Sequence, residues 1–143
     1  MVQSWRIWAL KLSSAAYLVV PGLIMVLAPV TPHLFLVEAF LDLAFQPLDG
    51  GQEITQTSGL LLNAILGGIL VGFGAMIWVV AERVYRVDAG LGRALILTPL
   101  LAWFTTDTLG SVLAGAWFNG VLNAGIFGTF LVPLLWPSPA RNS

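Results

Sequence analysis

Four apolar stretches constrain this chain more than anything else in it: Leu12 to Val30, Gly59 to Ala81, Ala94 to Ala114 and Phe118 to Trp136. Each holds about 19–23 residues. A helix rises about 1.5 Å per residue, so about 20 residues cross the roughly 30 Å hydrocarbon core of a bilayer. Composition leaves no soluble alternative. Hydrophobic residues make up 58% of the chain and charged residues 9%, where soluble domains carry about 25% charged residues. The apolar surface must therefore meet lipid. The expected fold is all-α: one transmembrane domain over residues 1–143, with four transmembrane helices.

The first span carries Pro21-Gly22, which predicts a kink. Arg6 and Lys11 ahead of it imitate a signal peptide. The run ends at Val26-Leu27-Ala28-Pro29, a poor cleavage site, so it is read as a retained helix. Between the first two spans, Thr31-Pro32 reads as an N-cap with proline at the first helical position. A helix over about 32–46 follows, too short to span. Glu38, Asp42 and Gln46 form a narrow polar stripe along it. That pattern predicts a short amphipathic helix at the outer interface, with a re-entrant segment as the alternative. Residues 46–58 read as loop.

Topology follows from the bases. Arg6 and Lys11 precede the first span, Arg83, Arg86 and Arg93 lie between the second and third, and Arg141 follows the fourth. All six fall on one face, while residues 31–58 carry four acids and no lysine or arginine. The positive-inside rule then places both termini in the cytoplasm. Trp5, Trp8, Trp78 and Trp136 near the inner face and Trp117 near the outer face form an aromatic belt. Trp103 lies deeper.

Asp107 is the residue that most needs a partner. It sits inside the third span, about 21 Å beyond Arg93. An acid at the centre of a membrane helix costs about 2.5–3.5 kcal/mol. Ser111 lies one turn further along, Asn119 and Asn123 share a face of the fourth helix, and Asn63 lies near the outer end of the second. Depth alone predicts that three helices bring these groups into one outer layer. Interhelical hydrogen bonds in membranes average about 0.6 kcal/mol, less in sum than an ionised aspartate costs. Asp107 is therefore expected to be protonated, its pKa raised by desolvation, or wetted by a cavity open to the outer face. Either the layer only binds helices together, or it is a site for a small molecule, proton or ion.

Two rows of small residues predict close helix packing: Gly68 and Gly72 on the second span, and Gly120, Ala124 and Gly128 on the fourth. A homodimer face is the alternative use of such rows. His33, Glu38 and Asp42 have the wrong spacing for a metal site, and a solvated face is the simpler reading. The chain has no cysteine and one histidine. Thiolate metal sites, iron–sulfur clusters and bis-histidine haem are thus excluded, and no Ser–His–Asp, Walker A, Rossmann or HExxH pattern occurs. No enzyme activity, cofactor or metal is expected. A net charge of −1 without a basic stripe argues against nucleic acid.

At Trp103-Phe104, Asp107, Gly110-Ser111, Ala114-Gly115, Asn119 and Asn123 the chain resembles a group of small four-helix bacterial membrane proteins with no assigned activity. Its layout is also similar to that of DoxX-like proteins. The resemblance covers about 21 residues plus the helix count, and implies a four-helix fold in the bacterial inner membrane. Two functions follow as expectations. The first is an accessory or structural component of a membrane assembly, with the lipid bilayer and a homo-oligomer or larger complex as partners. The second is a small transporter or ligand-binding bundle built around Asp107. Small multidrug exporters are similar in size, but their membrane-embedded acid lies in the first helix.

Overall fold

The computed structural model describes residues 2–30 and 34–136. The Thr31-Pro32 cap, His33 and Arg141 lie outside the described residues. Helix α1 (Val2–Ser14) runs through a π-helical turn (Ala15–Val19) into α2 (Val20–Leu27) and a 3-10 turn (Ala28–Val30). Helix α3 (Leu34–Phe45) is the short helix between spans. Helix α4 (Thr57–Val79) ends in a second π-helical turn (Val80–Val84), and α5 (Ala89–Leu113) and α6 (Trp117–Leu135) complete the chain. Four helices are long and apolar enough to cross a membrane: Ser4–Val30, Thr57–Val84, Ala89–Leu113 and Trp117–Leu135. The chain is an all-helical, multi-pass membrane protein, with no strand among the described residues.

The π turn in the first span has a local cause. Pro21 has no N–H to donate to the preceding turn, and the helix widens before it, so that Val20 N–H reaches Ala15 O. Pro29 creates a second gap, because it cannot donate to the carbonyl of Met25 four residues earlier. Asn63 of α4 fills that gap, its Nδ2 donating to Met25 O at 2.9 Å. This corrects the expected polar layer. Asn63 is buried, and it binds α2 to α4 rather than joining Asp107.

The glycine expectation is also corrected. A Cβ on Gly22 would lie 2.6 Å from Gly67 O, and one on Gly67 would lie 2.5 Å from Gly22 O. Helices α2 and α4 thus touch backbone to backbone at that pair. Gly68 and Gly72 face open space instead, and do not pack within this chain. On α6, Gly120 meets Thr108 of α5, with a Cβ-to-methyl distance of 3.2 Å, whereas Gly128 has open space and Ala124 is exposed. Only Gly120 of that row serves the contact between α5 and α6.

The first helix begins before Arg6 and Lys11, which were expected to flank it, and both are buried. Arg6 Nη2 donates to Trp136 O at 2.7 Å, satisfying a carbonyl at the C-terminal end of α6. Lys11 Nζ bonds Glu82 Oε2 at 3.1 Å and stands 4.5 Å over the rings of both Trp8 and Trp78. Glu82 also pairs with Arg86. Asp88 caps α5 by accepting from Leu91 N–H at 2.9 Å. These contacts hold Arg6, Lys11 and Arg86 at one pole, where Arg83 and Arg93 also lie. The apolar core lies in the same half, built by Leu10, Ile77, Tyr85, Ile96, Leu100, Phe130 and Leu134 among others.

At the opposite pole α3 packs against α6 and α2. Its acids are not a solvated stripe, as expected, but anchors for the loop that follows. Asp42 Oδ1 accepts from Gly50 N–H at 3.0 Å, and Glu38 Oε1 accepts from Ile54 N–H at 3.1 Å. The loop is thereby pinned back onto the helix, and α3 is held as a wall beside α6.

Candidate functional site

The turn between α5 and α6 determines which polar groups meet. Gly115 adopts φ +87°, which lets the chain reverse tightly. Asp107 precedes Gly115 by eight residues and Asn123 follows it by eight. Ser111 and Asn119 are each four residues away. Antiparallel helices leaving one turn place such residues at equal depth. Asn123 Nδ2 donates to Asp107 Oδ2 at 2.6 Å and to Thr108 Oγ1 at 3.1 Å. Asn119 Nδ2 donates to Ser111 Oγ at 2.8 Å and to Asp107 Oδ2 at 3.2 Å. Four of the five residues expected in the layer are therefore brought together, and Asn63 is not. Thr108 was missed, because it lies about 100° around α5 from Asp107 and depth alone does not show that it too faces α6.

Asp107 lies about 9 Å from the end of α5, counting six residues to Leu113. That end extends the helix, which at 25 residues is longer than the hydrocarbon core requires. The acid thus lies midway between the centre of α5 and its end at the turn. The four amide hydrogen bonds join α5 and α6 at about 0.6 kcal/mol each. Their sum, about 2.4 kcal/mol, approaches the cost of an acid at the membrane centre.

Asp107 is exposed, and what it faces is a groove of about 390 Å³. Phe40, Leu41, Ala44 and Phe45 of α3 form one wall. Thr106, Asp107, Gly110 and Ser111 of α5, with Asn119 of α6, form the other. Ala114 and Ala116 line the end at the turn. The stacked rings of Phe104 and Phe127, 4.8 Å apart, pack α5 against α6 on the membrane side of this layer. Asp107 Oδ2 is engaged by both asparagines, while no protein donor reaches Oδ1 among the described residues. One wall is thus apolar and aromatic, and the other presents a carboxylate oxygen, a hydroxyl and an amide. The wall from α3 was not foreseen, because sequence pattern placed that helix flat on the surface. Among the described residues no group of three or more His, Cys, Asp and Glu could hold a metal ion.

Compared with protein-family models, with curated proteins and with solved structures, the chain matches none.

Proposed function

We propose that this protein is a ligand-binding membrane bundle, and that its site is the groove between α3 and the pair α5–α6. The ligand class is a small amphiphile with a cationic or hydrogen-bond-donating group and an apolar body. The observation that carries this reading is Asp107: its Oδ2 is held by Asn119 and Asn123, and its carboxylate opens onto a cavity walled by Phe40, Leu41 and Phe45. A carboxylate partly removed from water attracts a cation more strongly than one in bulk solvent. The role is binding or carriage without covalent chemistry, in a bacterial plasma membrane with the basic pole in the cytoplasm. The charge asymmetry between the poles supports that orientation.

Two ions of one shape and opposite charge test the reading. Tetraphenylphosphonium should bind the purified protein in calorimetry and tetraphenylborate should not. Asp107→Asn should weaken the cation by about tenfold or more at unchanged expression. Equal binding of both ions, or full affinity in Asp107→Asn, would refute the site.

A second reading, an accessory subunit of a larger assembly, is favoured by α5. Only 11% of its most apolar window is buried, against 22% in each of the other three spans. Stoichiometric proteins retained through mild-detergent purification would support it.

A further inference from the structure

The pole opposite the groove carries a second cavity, of about 200 Å³, lined by Ser4, Ile7 and Trp8 of α1 and by Arg86. We infer that this cavity is a binding site for the phosphate headgroup of an anionic phospholipid, with an acyl chain lying along Trp8 and Leu12.

Three observations carry the assignment. The first is charge. Five bases stand against two acids at this pole among the described residues, and the Arg86 side chain remains 59% exposed although it pairs with Glu82. A guanidinium presents a planar fork of donors suited to phosphate. The second is depth. Trp5, Trp8, Trp78 and Trp136 cluster at this end, with the rings of Trp5 and Trp136 packed edge to face. Tryptophan belts mark the headgroup level of a bilayer. The third is the shape of the surface leading away from the cavity. Ser4, Trp8 and Leu12 succeed one another at four-residue intervals on one face of the first span. Trp8 is 58% and Leu12 63% exposed. A hydroxyl and a guanidinium at the mouth, then an indole and an aliphatic side chain toward the membrane, match a phosphate continued by a hydrocarbon chain. A free phosphate would use only the first pair. Trp8 also has a fixed place, because Lys11 Nζ lies against its ring. The site shares no residue with the groove at Asp107, so the two proposals stand or fall separately.

Native mass spectrometry of the detergent-purified full chain, titrated with phosphatidylglycerol or phosphatidylcholine of matched acyl chains, tests the site. The wild type should retain phosphatidylglycerol in preference to phosphatidylcholine. Arg86→Gln should lower retention of phosphatidylglycerol about fivefold, as expected for one base near a charged surface. Arg83→Gln removes an exposed base three residues away, in the π-helical turn and not in the cavity, and should change retention far less. Leu12→Ser should weaken the lipid while leaving any binding of inorganic phosphate unchanged. Equal retention of both lipids, or equal loss in Arg83→Gln and Arg86→Gln, would overturn the site. Displacement of the lipid by millimolar inorganic phosphate would assign the cavity to the free anion and refute the lipid.

Discussion

Replacing Gly67 by alanine tests the packing of this bundle at its closest point. The new methyl would lie 2.5 Å from Gly22 O, 2.8 Å from Met25 Cβ and 2.9 Å from Val26 N. Each is backbone or a Cβ, so no flexible side chain can move aside. Contacts between carbon atoms are optimal at about 3.5–4.0 Å, and α2 and α4 must therefore separate by about 1 Å. A gap of that size forfeits a quarter to a half of each dispersion well along the interface. Overpacking of this kind costs about 1–3 kcal/mol, a shift of about 5- to 150-fold in the folding equilibrium. Gly68→Ala is the control, since nothing lies within 4 Å of its Cβ position. It should be neutral within about 0.5 kcal/mol, as surface changes are. The double variant Gly22→Ala with Gly67→Ala should cost less than the two single changes added together, because helices already separated accommodate the second methyl. The assay is reversible unfolding in mixed micelles followed by circular dichroism. A Gly67→Ala protein as stable as wild type would refute the backbone contact. So would a Gly68→Ala protein destabilised to the same degree.

Two further outcomes follow from individual hydrogen bonds. Asn63→Ala removes the donor to Met25 O, and should destabilise the protein by about 0.6–1.7 kcal/mol, the range for polar contacts between membrane helices; unfolding in the same micelles measures it, and no change would mean that Pro29 leaves no carbonyl in need. Asp42→Ala and Glu38→Ala each cut one tether of the loop. Hydrogen exchange should then accelerate at Gly50 in the first variant and at Ile54 in the second, with the α5 and α6 amides unchanged; exchange spreading through the bundle would show that α3 supports more than its own loop.

The four spans were legible in the sequence because crossing a bilayer imposes length and apolarity on each segment separately. The meeting of Asp107 with Asn119, Asn123 and Ser111 was legible for a related reason. Depth along a straight helix can be counted, and two helices leaving one tight turn share that count. Asn63 has a comparable depth but a different partner. The clue to it was Pro29, whose missing N–H leaves Met25 O to be satisfied; counting depth does not reveal which helix faces which.

Rotation about the helix axis is where the sequence was silent. Beyond Asn63, helix α4 is apolar on every side, so nothing in that stretch by itself distinguishes Gly67 from Gly68, one residue and about 100° apart. Only the fit against Gly22 selects the face that packs. The same holds for α3. Its acids look solvated when read alone, and become anchors once the loop turns back to them. Phe40 and Phe45 become the wall of a groove once α5 and α6 stand opposite. Arg6 and Lys11 likewise read as flanking charges, and tertiary contact brings Trp136 O and Glu82 to them. The sequence by itself determined which segments enter the membrane and how deep each polar group lies. The tertiary structure decided which faces meet, because in lipid the hydrophobic effect does not choose between one apolar face and another, and that choice falls to packing and hydrogen bonds between particular residues.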